Sequence, residues 1–185
     1  MGLFAGYDQR PLHVESHDMT TFSSPMGPQR LTTLPMGYTN AVQIYQADMS
    51  FILQDEIPHY TMPFIDDLPA KSRMTGYQSE DGSFKTILEN SGIHCFIWEH
   101  LIVINRILQH LQSVGAMLST KKFVLAAPDV VIVRHKCTFE GWIPHKSKVQ
   151  KIQDWLECST VTHVRGFLGT CGVLHILIRN YAAIP

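Results

Sequence analysis

The sequence predicts an α+β fold, and three observations carry that reading. Two stretches, residues 39–57 and 95–118, repeat apolar residues at helical spacing. Short runs rich in β-branched and aromatic residues surround them, punctuated by Pro and Gly as strands and turns are. The two kinds of segment do not alternate regularly. Helices packed on one face of a mostly antiparallel sheet therefore fit better than a parallel βαβ repeat.

The elements follow in order. Residues 2–38 read as short strands and turns, broken at Pro11, Pro25, Gly27, Pro28, Pro35 and Gly37. TNAVQIYQADMSFILQDEI reads as a helix capped by Thr39 or Asn40, with Val42, Tyr45, Met49, Ile52 and Leu53 on one face. YTMPFI, DD and LPAK (residues 60–71) read as a hairpin around a polar turn, although Pro63 and Pro69 argue against two interior strands. Residues 72–94 are polar and turn-rich, and read as a surface insertion. CFIWEHLIVINRILQHLQSVGAML is the longest helical pattern, with Trp98, Leu101, Ile102, Ile104, Leu108 and Leu111 on a broad face and Gly115 at its end. Strands broken at Pro128 follow, then a helix capped by Ser147, then a terminal helical stretch interrupted by Gly166, Gly169 and Gly172.

Composition sets bounds. The 185 residues suffice for one sizeable core, and 45% hydrophobic with 17% charged residues is ordinary for a globular protein. No apolar run is long enough to span a bilayer, and the opening MGLFAGYDQR lacks the features of a signal peptide, so no membrane partner is expected. Cys95, Cys137, Cys158 and Cys171 form no CxxC pair and read as reduced thiols, which points to a cytoplasmic or nuclear setting. The net charge of −1 is unevenly spread. Residues 1–67 carry two basic residues against eight acidic ones, and residues 121–185 carry nine basic against four acidic. That asymmetry suits a basic face for nucleic acid, or an unevenly solvated surface. No HExxH, GxSxG or GxxxxGK[ST] motif occurs, so zinc-protease, serine-hydrolase and P-loop chemistry have no support.

The adjacent carboxylates Asp66 and Asp67 are the sharpest feature. Taken alone, Asp-Asp is an ordinary solvated turn. Like charges so close raise the cost of ionising both, and a bound cation offsets that cost. Hard divalent ions such as Mg²⁺ prefer carboxylate oxygens, so a metal site is the second reading.

Several segments in order resemble the reverse transcriptase domain of gypsy-type LTR retrotransposons. FAGYDQ is similar to the end of the family's first palm motif. LTTLPMGYTNAVQIYQ is similar to its turn-then-helix segment, and PFIDD to its Tyr/Phe-x-Asp-Asp hairpin. KKFVLAAPDVVIVRHKCTFEG resembles the region near the primer grip. SKVQKIQDW and VRGFLGTCGVLHILIRNYAAI resemble the segment after the palm. The resemblance covers nearly the whole chain. It implies a palm-like antiparallel sheet with partial fingers over residues 1–140, and the start of a thumb or connection over 141–185.

The activity implied is RNA-directed DNA polymerisation. A primer hydroxyl attacks a nucleotide α-phosphorus, with two metal ions, Mg²⁺ or Mn²⁺, assisting. The implied partners are an RNA or DNA template-primer and deoxynucleoside triphosphates. Asp66 and Asp67 would be catalytic and metal-binding. Tyr7, Pro35, Met36, Gly37 and Lys122 would line the nucleotide site, with Lys121 the alternative to Lys122. Arg134, Lys136, Lys146 and Lys148, with Lys151 beside them, would meet template-primer phosphates. Local readings compete: a buried Tyr7, a turn at Gly37, solvated lysines.

The departures matter as much. Gly2 stands where the family has its first metal-binding Asp, so the two-metal site is expected to be incomplete. Arg134 replaces the usual Gly before His135. Fingers upstream of Met1, a full thumb, RNase H and integrase are expected to be absent from this chain. Together these imply a degenerate fragment with weak or no polymerase activity. The alternative is a non-catalytic remnant that still binds nucleic acid.

Overall fold

A computed structural model of the chain describes residues 1–71, 76–132, 135–138, 141–144, 146–175 and 181. Two compact units divide it, Met1–Ala126 and Ala127–Pro185. Mixed helix and small antiparallel sheets make the fold α+β.

The first unit opens with short 3-10 turns and a hairpin, β1 (Phe22–Ser24) against β2 (Gly27–Gln29). The helix α1 (Ala41–Ile52) follows. Asn40 stands at its cap position, but its side chain makes no capping bond, so neither expected cap operates. The buried stripe is Ala41, Tyr45 and Met49, continued by Leu53, while Val42 is 48% exposed. The polar stretch after residue 75 forms a small hairpin, β3 (Thr86–Ile87) with β4 (Asn90–His94), most of whose residues are exposed. It leads directly into α2 (Cys95–Ser113), and Gly115, at φ +70°, ends the turn after it as a left-handed glycine does.

The face of α2 differs from the expected one. Val103, Ile104, Ile107 and Leu111 are buried, whereas Trp98 and Ile102 are 46% and 43% exposed. The buried stripe keeps Ile104 and Leu111 of the expected face and adds Val103 and Ile107. Arg106 leaves the buried stripe to hold Glu56, donating from Nε and from a terminal nitrogen at 2.8 Å each. The core of this unit then joins Leu3, Leu34, Leu68 and the buried residues of α1 and α2.

The resemblance implies a palm-like antiparallel sheet. Among the described residues, pairing is antiparallel and divided into small ladders and isolated bridges. Proline supplies the reason around the Asp pair. Pro58, Pro63 and Pro69 have no N–H, so the ladder there cannot run on.

The second unit carries an antiparallel meander of β5 (Asp129–Ile132), β6 (His135–Thr138) and β7 (Gly141–Pro144), with β6 central. Pro128 precedes β5 directly, where the sequence places a break. Next come α3 (Lys146–Gln153) and α4 (Val161–Gly172). α3 already includes Ser147, which the sequence makes its cap. α4 is capped by Thr160, whose hydroxyl accepts from the His163 N–H at 3.2 Å. All three flagged glycines, Gly166, Gly169 and Gly172, lie in that helix, Gly172 as its last residue.

Candidate active site

The Asp pair lies on a tight hairpin. Phe64 and Asp67 exchange both backbone hydrogen bonds, at 2.9 and 3.0 Å, so Ile65 and Asp66 form a two-residue turn. Ile65 has φ +55°. A β-branched residue in the left-handed region is strained, and something must hold it there. Gln46 on α1 does so. Its amide oxygen accepts from the Ile65 N–H at 2.8 Å, and its amide nitrogen donates to the Pro63 carbonyl at 3.0 Å. Gln46→Ala removes both bonds and is expected to cost about 1–3 kcal/mol. A urea midpoint checks the cost, and faster amide exchange confined to residues 64–67 checks where it falls.

The segment from Met1 to Phe4 runs beside this hairpin. Gly2 bridges Asp67, the Leu3 N–H donates to the Asp66 carbonyl at 3.0 Å, and the Leu68 N–H donates to the Met1 carbonyl at 2.9 Å. On its other edge, Leu3 bridges Leu118 and the Ser119 N–H donates to the Gly2 carbonyl at 2.9 Å. Gly2 therefore sits between the Asp pair on one side and the Thr120–Lys122 turn on the other.

Lys122 closes the arrangement. Its ammonium donates to Asp66 Oδ2 at 2.7 Å, with both side chains partly exposed. The hydrogen bond to Asp66, helped by its charge, raises the Lys122 ammonium above the ordinary lysine value. Its stem runs over Gly2, and a Cβ placed on Gly2 would lie 2.6 Å from Lys122 Cδ.

Tyr7 is half-buried and stacks on Tyr45 of α1, with ring centroids 4.9 Å apart. Burial, then the Asp66 charge, push the Tyr45 phenol up to about 12. Tyr45 thus links Tyr7 to the Asp pair electrostatically. Gly6 packs so closely on the Tyr45 hydroxyl that a methyl group there would collide with it. Pro35, Met36 and Gly37 form the turn that enters α1. The Tyr38 N–H donates to the Pro35 carbonyl at 3.2 Å, Met36 is 81% exposed, and Gly37 takes φ +99° with open space beside it.

The structure thus brings Gly2, Asp66, Asp67 and Lys122 together, with Tyr7 joined through Tyr45. The other basic candidates belong to the second unit. Lys136 pairs with Asp129 at 3.1 Å across β5 and β6. Lys146 is exposed and Lys148 half-buried on α3, with exposed Lys151 in its last turn. Arg134 lies outside the described residues. Sequence reasoning missed Gln46. The signal was a long amide directly after the buried Tyr45, at the edge of the apolar stripe.

These residues do not fit a three-carboxylate metal centre. Gly2 contributes no donor, and one Asp66 oxygen is already engaged by an ammonium. Among the described residues, no group of three or more His, Cys, Asp or Glu side chains could hold a metal ion. No described helix is long and apolar enough to cross a membrane.

No protein-family model matches the chain. It is 25% identical over 184 residues to the retrovirus-related Pol polyprotein of the Drosophila melanogaster transposon gypsy, covering 100% of this chain and 16% of that protein. The corresponding polyprotein of transposon 412, from the same organism, is 25% identical over 182 residues, covering 98% and 13%. Among solved structures, a foamy viral protease-reverse transcriptase with double-stranded DNA superposes with a TM-score of 0.73 at 21% identity, covering 98% of this chain and 28% of that one. The same kind of protein bound to an RNA/DNA hybrid gives 0.64 at 22% identity, over 94% and 20%. The chain is reverse-transcriptase-like, and its homologues are gypsy-type Pol polyproteins. It spans less than a fifth of the length of those two polyproteins. Three of the segments that carry the sequence resemblance help to build this site: PFIDD is the strained hairpin, FAGYDQ supplies Tyr7, and LTTLPMGYTNAVQIYQ runs into α1 with its Gln46 clamp.

Proposed function

We propose that the chain is a reverse-transcriptase-derived fold that engages RNA or DNA template-primer, and that it performs template-directed nucleotidyl transfer weakly or not at all. One observation carries this reading. The Asp66–Asp67 hairpin is paired in place, yet its neighbour across the ladder is Gly2, which has no carboxylate. In this proposal residues 1–140 correspond to partial fingers and palm and residues 141–185 to the start of a thumb or connection. Tyr7, Pro35, Met36 and Gly37 border the nucleotide, and Lys122 reaches a triphosphate only by leaving Asp66. Mg²⁺ or Mn²⁺ would find an incomplete site, and a cytoplasmic or nuclear setting suits the four free thiols.

Primer extension on an RNA template, with Mg²⁺ and deoxynucleoside triphosphates, tests the reading. A ligand missing from the metal centre is expected to leave the rate about a thousandfold or more below that of an intact relative. Any residual extension should vanish in Asp66→Asn. A rate close to the intact enzyme's would overturn it.

Nucleic-acid binding without catalysis is the second reading, and α3 favours it. That helix presents Lys146, Lys148 and Lys151 with no acidic residue in its first turn. The structural neighbours named above are complexes with double-stranded DNA and an RNA/DNA hybrid. Binding of this kind weakens steeply with salt, so a gel shift insensitive to salt would count against it.

A further inference from the structure

We propose that Lys122 is a built-in counter-cation for the Asp66–Asp67 hairpin, seated in the space that glycine leaves at position 2, and that it keeps a divalent ion off Asp66. The inference deepens the functional reading above but rests on local geometry, not on polymerase activity.

Three observations combine. First, Lys122 Nζ lies 2.7 Å from Asp66 Oδ2, where the ammonium supplies positive charge to adjacent carboxylates that would otherwise repel. Second, the path of its stem exists because residue 2 is glycine. A Cβ there would stand 2.6 Å from Cδ and 3.1 Å from Cβ of Lys122, too close for both to remain. Third, the root of Lys122 is held in register with Gly2. The Ser119 N–H donates to the Gly2 carbonyl at 2.9 Å, and the Lys122 N–H donates to the Ser119 carbonyl at 3.1 Å. The ladder fixes Gly2 opposite Asp67, so the space the stem uses lies beside the Asp pair and nowhere else.

The two features are therefore one exchange. Any side chain at position 2, an aspartate included, would displace the lysine stem. Glycine removes a possible oxygen ligand and admits an ammonium in the same step. An ammonium is a compact point charge with three donors, so it can neutralise Asp66 without an ordered shell of ligands. A divalent ion that approaches Asp66 must break this contact and share the site with a positive charge.

The test is Mn²⁺ binding to the full chain, read from the electron paramagnetic resonance signal of the free ion. Wild type, Lys122→Ala, Lys122→Met and the double variant Asp66→Asn/Lys122→Ala are compared, with circular dichroism to confirm folding. Removing the ammonium is expected to tighten Mn²⁺ binding by about tenfold or more. Lys122→Met keeps the apolar stem over Gly2 and should show the gain even where the alanine variant unfolds. The gain should disappear in the double variant. Equal affinity in wild type and both single variants, tight or weak, would overturn the proposal, as would a gain that survives loss of Asp66. Wild-type protein that binds Mn²⁺ at micromolar concentration in an Asp66-dependent way would overturn it without any lysine variant. Primer extension plays no part in the readout, so an inactive chain can still pass or fail.

Discussion

Leu68→Ala is expected to cost about 2–5 kcal/mol and to release the Asp hairpin from the first unit. Leu68 follows Asp67 directly and is fully buried. It packs in one cluster with Leu3, Leu34, Tyr45, Met49, Leu53, Val103, Ile107 and Leu111. The hairpin itself has few backbone bonds, and the prolines stop the ladder from lengthening. Leu68 is its anchor in the core, beside the Gln46 clamp and the backbone bonds to Met1 and Leu3. A cavity at Leu68 cannot be refilled by sliding the chain, because its N–H is tied to the Met1 carbonyl. Domains of this size have roughly 5–15 kcal/mol of stability in all, so the loss is a large share. Phe64→Ala is the control. Phe64 sits three residues before Asp67 but is half-exposed, so its removal should cost about 1 kcal/mol or less. Urea unfolding of the two variants checks the difference. Equal costs would mean that the hairpin is not anchored through the core.

How much of this was legible beforehand depends on the scale of the interaction. The hairpin at Asp66–Asp67 was readable because turn chemistry is local. Two apolar runs flanking a short polar pair specify a reversal within about ten residues. α1 was readable because Tyr45, Met49 and Leu53 repeat at helical spacing. The inner face of α2 was readable in part: Ile104 and Leu111 are on it as expected, but Val103 and Ile107 share it while Trp98 and Ile102 are exposed. Asn40 was rightly placed at the cap, but residue type does not compel a capping bond and its side chain makes none. The shortness of the pairing around the Asp pair was legible too, since Pro63 and Pro69 lack the donors that a longer ladder needs.

The site shows the same division. The Asp pair and Gly2 were each visible as residues. That Gly2 faces Asp67, and that Lys122 fills the space above it, were not. Both depend on Met1–Phe4 lying between the hairpin and residues 117–119, over a hundred positions on. By resemblance, Gly2 reads in sequence only as a missing side chain. In three dimensions it also leaves room for the Lys122 stem. Gln46 adds the complementary lesson. A strained turn needs a clamp, and the clamp comes from a helix that the sequence reading assigned only to packing.

Arg106→Ala is expected to destabilise the first unit by about 1–3 kcal/mol at neutral pH, and by less in acid. Glu56 is buried and accepts two bonds from Arg106 at 2.8 Å, while Arg106 also lies 4.7 Å above the Tyr60 ring. Breaking a fully buried pair costs roughly 3–5 kcal/mol. The guanidinium here is 41% exposed, so water screens the contact and the lower range applies. The pH dependence follows from the direction of the Glu56 shift. The hydrogen bonds from Arg106, against the opposing effect of burial, hold its carboxyl below the ordinary glutamate value. A depressed carboxyl contributes stability that is complete above its unfolded value, about 4.3. That contribution disappears as pH falls through the lower folded value. The gap between wild type and Arg106→Ala should therefore be widest near neutrality and close below about pH 4. His110 also faces Glu56, at 3.7 Å. The measurement is urea unfolding from neutral pH into acid, repeated in a His110→Ala background to isolate the Arg106 contact. A gap that stays constant with pH would show that Arg106 acts by packing on Tyr60, not by charge.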